Sequence, residues 1–343
     1  MGSQTNAPLP DGHVLGGYRI VRKIASGGFS IVYLAENPYR EEVAIKEYLP
    51  ANLVRRHDGE LAPVVATQNL NTYRNGLKCF FEEGRALARI FHPNVVRVLN
   101  FFRAHDTVYM VMAYERGRSL QELVLRHRSR NARQVLPERH VRRVFGQVMN
   151  GLREVHANRL LHLDLKPANV YLRVDGTPIL LDFGAARQTL NGEAPRLFPM
   201  YTPGFAAPEL YRRQHQLGPW TDIYSVGASM FACMVGVPPQ PADQRELQDK
   251  VPASLKPLEG RYSQPLIDLV LWCMRLNPIE RPQSVFALQK LLRSTRPLQE
   301  AEQARGPAIA RWIDSLAGRI GRRRSERDPL DLLLDGEATA GRR

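Results

Sequence analysis

The spacing of apolar positions along the chain changes near residue 117. Before this point, short apolar segments of strand length, such as 18–20 and 43–45, alternate with Gly-rich or polar turns. One helix is predicted there, over 73–91, because its apolar residues recur at near-helical spacing. After residue 117 helical spacing dominates, beginning with a long amphipathic segment at 141–152. The pattern therefore predicts an α+β arrangement in two lobes, the first rich in sheet and the second rich in helix.

Three segments stand apart from this pattern. Residues 1–16 contain Pro and Gly without periodicity, which predicts a flexible leader. Residues 49–72 are polar and irregular, which predicts either an added β-hairpin beside the first helix or a solvated loop. Residues 294–343 form a basic and partly disordered tail, in which 309–320 places apolar residues on one helical face. That face could pack on the rest of the chain, bind a partner or make peripheral contact with an anionic membrane.

Composition indicates a globular protein with a substantial core. Hydrophobic residues make up 43% of the 343 positions, which excludes wholesale disorder. The three cysteines are far apart and match no metal-binding spacing, so a disulfide scaffold is excluded and a reducing compartment is favoured. No secretory signal is seen, and no apolar run reaches the roughly 18 residues of a spanning helix. We therefore expect a cytoplasmic protein without a transmembrane segment.

The positive charge is unevenly distributed. Lys and Arg number 48 against 34 Asp and Glu, a formal net charge of +14. Half of this excess lies in 116–143, where nine arginines stand against two glutamates, and Arg139, Arg142 and Arg143 are predicted to share one helical face. The stretch is either a solvated arginine face or a docking surface for an acidic or phosphorylated partner. No nucleic-acid-binding motif accompanies it, so nucleic acid is disfavoured as a partner.

Two motifs in the first part of the chain suit phosphate binding. Residues 24–32 place a turn of small residues between two predicted strands, and small residues let backbone N–H groups approach phosphate oxygens. Lys46 ends the apolar strand 43–46 and can supply a cation. Either motif alone is a weak signal, because the turn also fits an ordinary hairpin and strand lysines usually lie on the surface.

Further motifs follow in order along the chain. They are His-Leu-Asp-Leu-Lys-Pro-Ala-Asn at 162–169, Asp-Phe-Gly at 182–184 and Ala-Pro-Glu at 207–209. Together with 24–32 and 43–46, these motifs resemble the eukaryotic-type (Hanks-type) serine/threonine protein kinase family, in its bacterial branch.

The resemblance covers about residues 18–293 and implies a bilobal protein-kinase fold. The kinase domain would occupy 17–293. Its N-lobe, 17–113, would be an antiparallel β-sheet plus one helix, and its C-lobe, 117–293, would be mainly α-helical.

The resemblance also implies a chemical role for each matched residue. Asp164 would orient the substrate hydroxyl and accept its proton, and Lys166 would neutralise the γ-phosphate of ATP. Lys46 would bind the α- and β-phosphates while a helix glutamate holds it. That glutamate is Glu83, with Glu82 as the rival at the adjacent register.

ATP and a divalent cation are the implied cofactors. Asn169 and Asp182 offer the hard oxygen ligands that suit Mg²⁺, with Mn²⁺ as an alternative. The adenine would lie between aliphatic residues above and Tyr171 below, beside the gatekeeper Met112 and the hinge. The implied ATP-binding set is Ile24, Ala25, Ser26, Gly27, Gly28, Phe29, Ser30, Val32, Ala44, Lys46, Met112, Ala113, Glu115 and Tyr171.

The second half of the chain indicates the substrate class. Glu209 and its implied ion-pair partner Arg281 favour a protein substrate, as does Asp222, which would brace the catalytic loop. Lys166 together with Thr202 matches the serine/threonine pattern rather than the tyrosine pattern.

The chain also departs from the family pattern. Ala25 and Ser30 replace two glycines of the phosphate loop, but both are small enough for the loop to close. Leu163 replaces the arginine of the usual His-Arg-Asp, which in relatives must be neutralised by a phosphorylated activation segment. We therefore expect basal activity without phosphorylation at Thr189 or Thr202.

The sequence as a whole predicts an ATP-dependent serine/threonine protein kinase of bacterial signalling. The alternative is a pseudokinase scaffold that binds nucleotide or partners without phosphoryl transfer. Only the enzyme has a chemical reason to keep all of Lys46, Glu83, Asp164, Asn169 and Asp182.

Overall fold

The computed structural model describes residues 5–130, 136–183, 201–212 and 216–294. Within these ranges the chain forms two compact units. Unit 1 comprises Met1–Arg116, Gly151–Asp164 and Ile179–Thr202, and unit 2 comprises Gly117–Asn150, Leu165–Pro178 and Pro203–Arg343. Five predicted features lie wholly or partly outside the described residues: positions 1–4 of the leader, positions 131–135 of the arginine-rich stretch, Gly184, Thr189 and the tail from 295 onward.

Unit 1 is built on a six-stranded antiparallel sheet. Its elements in chain order are β1 (Val14–Leu15), β2 (Tyr18–Gly27), β3 (Ser30–Glu36), β4 (Glu42–Tyr48), β5 (Val54–Arg55), β6 (Val64–Val65), α1 (Leu70–Leu87), β7 (Val98–Ala104) and β8 (Thr107–Ala113). The sheet order is β1-β2-β3-β4-β8-β7. Side chains alternate between the two faces of each strand, so Ile31, Tyr33 and Ile45 point into one buried core. Lys46 and Tyr48 point to the other face of β4.

The described part of the predicted flexible leader is packed instead. Leu9 and Leu15 are almost completely buried, and β1 pairs with β2. The backbone N–H of Leu9 donates to the Tyr33 hydroxyl at 3.0 Å. The backbone N–H of Ala7 donates to the Arg56 carbonyl at 3.0 Å, and Arg56 Nε donates to the Ala7 carbonyl at 2.8 Å. The prediction was wrong because the partners that order this segment lie 24 to 49 residues away. A pattern within residues 1–16 cannot show them.

The hairpin predicted in the 49–72 segment is confirmed. β5 and β6 pair antiparallel, with Val54 opposite Val65. Leu53 and Val54 are buried in the same core as Leu9, so the hairpin extends the core of unit 1. The amide of Asn69 donates to the Leu53 carbonyl at 3.1 Å and ties the hairpin to the start of α1.

The remaining elements are mostly helical. They are β9 (Gly117–Ser119), α2 (Leu120–Arg130), α3 (Glu138–Ala157), β10 (Val170–Arg173), β11 (Pro178–Leu180), α4 (Pro219–Val235), α5 (Ala242–Leu247), α6 (Val251–Leu255), α7 (Gln264–Cys273) and α8 (Val285–Ser294). Every residue of α4 from Thr221 to Met234 is buried, which makes this helix the centre of unit 2. A Cβ atom at Gly227 would lie 2.5 Å from Cys273 Cβ, so glycine is needed where α4 crosses α7. The predicted α+β fold class, with sheet first and helices after, is confirmed.

The predicted arginine face on α3 is only partly exposed. Arg143 is exposed, but Arg142 is 9% exposed and pairs with Glu138 at 2.7 Å. Arg142 also donates to the Leu292 carbonyl at 2.7 Å, which anchors the end of α8. Arg118, earlier in the same 116–143 stretch, is buried as well. A count of arginines could not separate solvated ones from these buried ones.

Among the described residues, no helix is both long and apolar enough to span a bilayer.

Candidate active site

Lys46 is a buried cation at the end of β4. Its side chain is 8% exposed, and its Nζ forms an ion pair with Asp182. The same Nζ lies 5.6 Å from the centre of the Phe80 ring on α1. Burial lowers the pKa of Lys46, but the charges of Asp182, Glu83 and Asp164 outweigh burial and raise it overall. Lys46 is therefore held in its charged form.

Glu83 lies on the buried stripe of α1 and is 7% exposed. Burial raises the pKa of its carboxyl to about 8. The charge of Lys46 lowers this pKa and the charge of Asp182 raises it, but burial is the largest effect. Glu82, the rival position, is 58% exposed and lies 3.9 Å from Lys78. Among the described residues Lys46 is paired with Asp182 and not with Glu83, which differs from the ion pair that the resemblance implies. The physical reason is that burial raises the pKa of Glu83 and so disfavours the charged carboxylate that an ion pair with Lys46 requires.

Two residues of the site have left-handed backbone conformations. Leu163 has φ 62° and Asp182 has φ 56°. Such values are uncommon for residues other than glycine and persist only where the surrounding structure holds them. Leu163 is 4% exposed, so its apolar side chain is anchored in the interior while Asp164 follows it.

His162 links the segment that carries Asp164 to the segment that carries Asp182. Its Nε2 donates to the Leu181 carbonyl at 3.1 Å, and its Nδ1 accepts from the backbone N–H of Asp164 at 3.4 Å. This pair of bonds requires the neutral imidazole ring. The ring also packs 4.5 Å, centre to centre, from Phe183. The two acidic residues are thus held on adjoining segments of unit 1.

The Asp164 carboxylate already accepts a hydroxyl hydrogen bond. Thr202 Oγ1 donates to Asp164 Oδ1 at 2.7 Å. An alcohol oxygen can therefore be held at this carboxylate, in the position that general-base chemistry requires. Unit 1 thus brings together four of the predicted side chains, Lys46, Asp182, Asp164 and Thr202, with Glu83 close enough to act on Lys46 electrostatically.

The other predicted residues of unit 1 surround the strand that carries Lys46. Val32 lies opposite Lys46 on β3, and Ala44 lies opposite Met112 on β8. Gly27 pairs with Ser30, which closes a two-residue turn between β2 and β3. Ala25, Ser26 and Gly27, directly before this turn, are exposed. The half-buried residues are Ile24, Gly28, Phe29 and Ser30. Ala113 and Glu115 follow Met112 and are half-buried.

Unit 2 contains the predicted residues that follow Asp164 in the chain. Lys166 precedes a 3-10 turn formed by Pro167–Asn169, and Asn169 is 6% exposed. Tyr171 lies on β10, opposite Ser119 of β9. A short antiparallel ribbon therefore follows the Asn169 turn directly.

Unit 2 also contains the predicted ion pair between Glu209 and Arg281. Both side chains are at most 1% exposed, and two parallel hydrogen bonds of 2.8 and 3.0 Å join them. Thr221 Oγ1 donates to the same carboxylate at 2.9 Å. Asp222, the next residue of α4, is completely buried.

Sequence reasoning missed several residues that shape the site. Phe80 contacts Lys46, Tyr48 packs on α1, and Met110 lies opposite Lys46 on β8. His162 belongs to the 162–169 motif, but the sequence predicts no role for it. The available signal was position, because Tyr48 is two residues from Lys46 and shares its face of the strand.

Comparison with known proteins shows the family. The family sequence model described as "Protein kinase domain" matches residues 18–293. The chain therefore belongs to the protein kinase family, and the resemblance to its serine/threonine class is confirmed by the relatives.

Two curated relatives and two solved structures illustrate the similarity. The "Serine/threonine-protein kinase ATG1c" of Arabidopsis thaliana is 31% identical over 79% of this chain and 34% of its own length. The "Serine/threonine-protein kinase pkn3" of Myxococcus xanthus is 27% identical over 81% of this chain and 49% of its own length. This chain thus spans less than half the length of these curated relatives.

Among solved structures, "PpkA-294 apo form" has a TM-score of 0.72 and 31% identity, and the match covers 83% of this chain and 99% of that one. The Mycobacterium tuberculosis PknI kinase domain has a TM-score of 0.62 at 23% identity, with 84% and 99% covered, and supports the fold alone.

Proposed function

We propose that the protein is an active kinase that transfers the γ-phosphate of Mg–ATP to serine or threonine hydroxyls of protein substrates. The observation that carries the proposal is the buried Lys46, ion-paired with Asp182 and influenced by Asp164, in a chain of the protein kinase family. Phosphoryl transfer depends mainly on positioning and on charge stabilisation, and these residues supply both.

Lys46 is the residue proposed to bind the α- and β-phosphates. Its charge is secured by the neighbouring carboxylates, and its surroundings are largely shielded from water, which strengthens its attraction for an anion. When phosphate oxygens compete for Lys46, the Lys46–Asp182 contact can loosen, and Glu83 is near enough to take over the lysine.

Asp164 is the proposed general base. The hydroxyl of Thr202 shows that its Oδ1 can accept a hydrogen bond from an alcohol at 2.7 Å. A substrate hydroxyl held in the same way would be oriented for in-line attack on the γ-phosphorus. Its proton would pass to Asp164 as its oxygen bonds to the γ-phosphorus, while the bond from the γ-phosphorus to the bridging oxygen breaks and ADP leaves. Lys166, two residues further on, is proposed to neutralise the γ-phosphate.

The donor set fits a magnesium ion. Magnesium usually keeps several water ligands and takes only one or two protein carboxylates together with substrate phosphates. Asp182, with 48% of its side chain exposed, and Asn169 would hold the ion, which would neutralise phosphate charge.

The adenine is proposed to bind beside Ala44, Val32 and Ile24, which offer small or aliphatic surface, with Tyr171 as the second wall. The backbone at Ala113 and Glu115 would bond the edge of the base, and Met112 would limit the depth of the pocket. The turn from Ala25 to Ser30 would cover the phosphates with its backbone N–H groups.

Protein substrates are favoured by the bidentate Glu209–Arg281 pair, which braces the segment that follows Thr202 in the chain. Exposed arginines of the 116–143 stretch, such as Arg126 and Arg143, remain candidates for docking an acidic or phosphorylated partner. Bacterial signalling, a cytoplasmic location and peripheral membrane contact by the tail belong to the proposal as well.

The experiment is transfer of label from γ-labelled ATP to dephosphorylated casein in the presence of Mg²⁺, followed by phosphoamino-acid analysis. Label on serine and threonine, lost when EDTA removes the metal, would support the proposal. Label on tyrosine would refute the assigned substrate class. The pseudokinase alternative predicts nucleotide binding without label, and it gains no support from relatives named as serine/threonine kinases.

A further inference from the structure

Helix α1 approaches β4 most closely at a glycine. A Cβ atom at Gly76 would overlap the hydroxyl of Tyr48 and lie 2.7 Å from its ring carbon Cζ. The Tyr48 ring is packed between two other rings, since it stacks on Tyr73 at 5.7 Å and lies against Phe80 at 5.6 Å, so turning it away would break both contacts. Only glycine therefore allows the helix to lie at this distance from the strand.

A second close approach lies two turns further along the same helix. A Cβ atom at Gly84 would be 3.1 Å from Met110 Cε. Met110 is 2% exposed and lies directly opposite Lys46 in the β4–β8 pairing. The two glycines thus let α1 rest on β4, which carries Lys46, and on the neighbouring strand β8.

These contacts place the helix relative to Lys46. Tyr48 and Lys46 point to the same face of β4, two residues apart. Phe80 touches both of them, since it packs on the Tyr48 ring and lies 5.6 Å from Lys46 Nζ. Glu83 follows Phe80 by three residues and shares its buried helix face with Gly76. A shift of α1 at Gly76 would therefore move Glu83 relative to Lys46.

We propose that Tyr48 and Gly76 are positioning residues for phosphoryl transfer, which set the distance and rotation of α1 so that Glu83 stays within electrostatic reach of Lys46. The inference rests on the proposed kinase function. Neither residue touches the reacting atoms, and both act through Phe80, Glu83 and Lys46. The Tyr48 ring sets the distance between α1 and β4, and the absence of a side chain at Gly76 leaves the space that the ring occupies.

The first test is Gly76→Ala in the full chain, with Gly146→Ala as the matched control. Gly146 is also inside a helix, but a Cβ atom there would meet nothing within 4 Å. We expect Gly76→Ala to lower kcat about 10²-fold, the scale of a misplacement of about 1 Å, with the KM for the protein substrate unchanged. The control should keep the wild-type kcat. An unchanged kcat in Gly76→Ala would overturn the proposal.

The second test exchanges volume between the two sides of the contact. Tyr48→Leu shortens the side chain, so the double variant Gly76→Ala with Tyr48→Leu has room for the added methyl group. We expect it to recover at least about tenfold of the kcat lost in Gly76→Ala, measured per folded molecule. A residue needed only for folding would change the fraction of folded molecules and leave kcat per folded molecule unchanged. A double variant that keeps the low kcat of Gly76→Ala would therefore count against a positioning role. If Gly76→Ala does not fold, kcat is measured for Tyr48→Leu alone, which should be lower than that of wild type. An unchanged kcat in Tyr48→Leu would then overturn the proposal.

Hydrogen exchange separates this inference from the proposed function. Amide exchange over 76–87 should rise in Gly76→Ala and return toward wild type in the double variant, whether or not the protein transfers phosphate. An inactive wild type would refute the proposed function. Unchanged exchange over 76–87 in Gly76→Ala would refute the positioning contact itself.

Discussion

The fully buried ion pair between Arg56 and Glu47 predicts the largest single losses of stability in unit 1. Both side chains are 0% exposed, and the carboxylate also accepts the hydroxyls of Tyr33 at 2.7 Å and Tyr109 at 2.9 Å. The guanidinium donors of Arg56 reach Glu47 Oε1 at 2.5 Å and Oε2 at 2.9 Å, Ala7 O at 2.8 Å, Leu61 O at 3.3 Å and the Tyr33 hydroxyl at 3.1 Å. This arginine therefore joins the N-terminal segment, the β5–β6 hairpin and the strand that carries Lys46.

Removal of either partner leaves the other charge buried and uncompensated. We expect Arg56→Met and Glu47→Gln each to lower the free energy of unfolding by about 3–5 kcal/mol, the usual loss when one member of a buried pair is removed. That is a large share of the roughly 5–15 kcal/mol by which domains are stable. The double variant carries no unpaired charge, so its loss should fall short of the sum of the single losses by about 2 kcal/mol or more.

Urea unfolding followed by circular dichroism measures these three losses, with the slopes compared to check that the unfolding transition is unchanged in kind. Lys78→Ala is the control, because it breaks an exposed pair with Glu82 at 3.9 Å and should change the free energy of unfolding by less than about 0.5 kcal/mol. Single losses below about 1 kcal/mol, or losses that add within about 0.5 kcal/mol, would refute the reasoning.

Three more predictions concern other charged or apolar groups of the site. Burial holds a proton on Glu83 up to pH about 8, whereas the unfolded chain releases it near 4.5, so wild-type stability should fall as pH rises between those values. Glu83→Gln has no carboxyl to titrate, so urea unfolding should show its stability relative to wild type increasing between pH 4.5 and about 8 and levelling off above that. Parallel plots of stability against pH for the two proteins would contradict the buried neutral carboxyl. Arg281→Met should lower the free energy of unfolding, measured by thermal melting, by about 3–5 kcal/mol. Arg281→Lys should restore little of this loss, because lysine cannot make the two parallel bonds to Glu209. Full rescue by lysine would show that the bidentate geometry is unimportant. Because the buried Leu163 leaves no charge for a phosphate to neutralise, phosphatase-treated protein should retain its basal transfer rate, and abolished transfer would disprove this.

The local motifs of the site could be read from the sequence because each spans only a few residues. Asp164, Lys166 and Asn169 lie within one eight-residue motif, and their order along the chain carries the resemblance. The fold class was predictable for a similar reason, since strand and helix spacings are local periodicities.

The contacts made over long distances in sequence could not be predicted. Lys46 and Asp182 are 136 residues apart, and their pairing depends on how burial disfavours the charge of Glu83. The packing of the N-terminal segment depends on Arg56, 49 residues beyond Ala7. No periodicity encodes such partners, because each is chosen by the assembled core and not by its neighbours in the chain.

Phosphate transfer by wild type and by two single variants tests the central claim most directly. The full chain, Asp164→Asn and Lys46→Met are compared with labelled ATP, Mg²⁺ and dephosphorylated casein, after thermal melting has shown that all three are folded. We expect labelled casein with wild type and a loss of at least about 10²-fold in each variant. This is the scale of general-base catalysis for Asp164 and of charge stabilisation for Lys46. Equal labelling by all three proteins would contradict the claim.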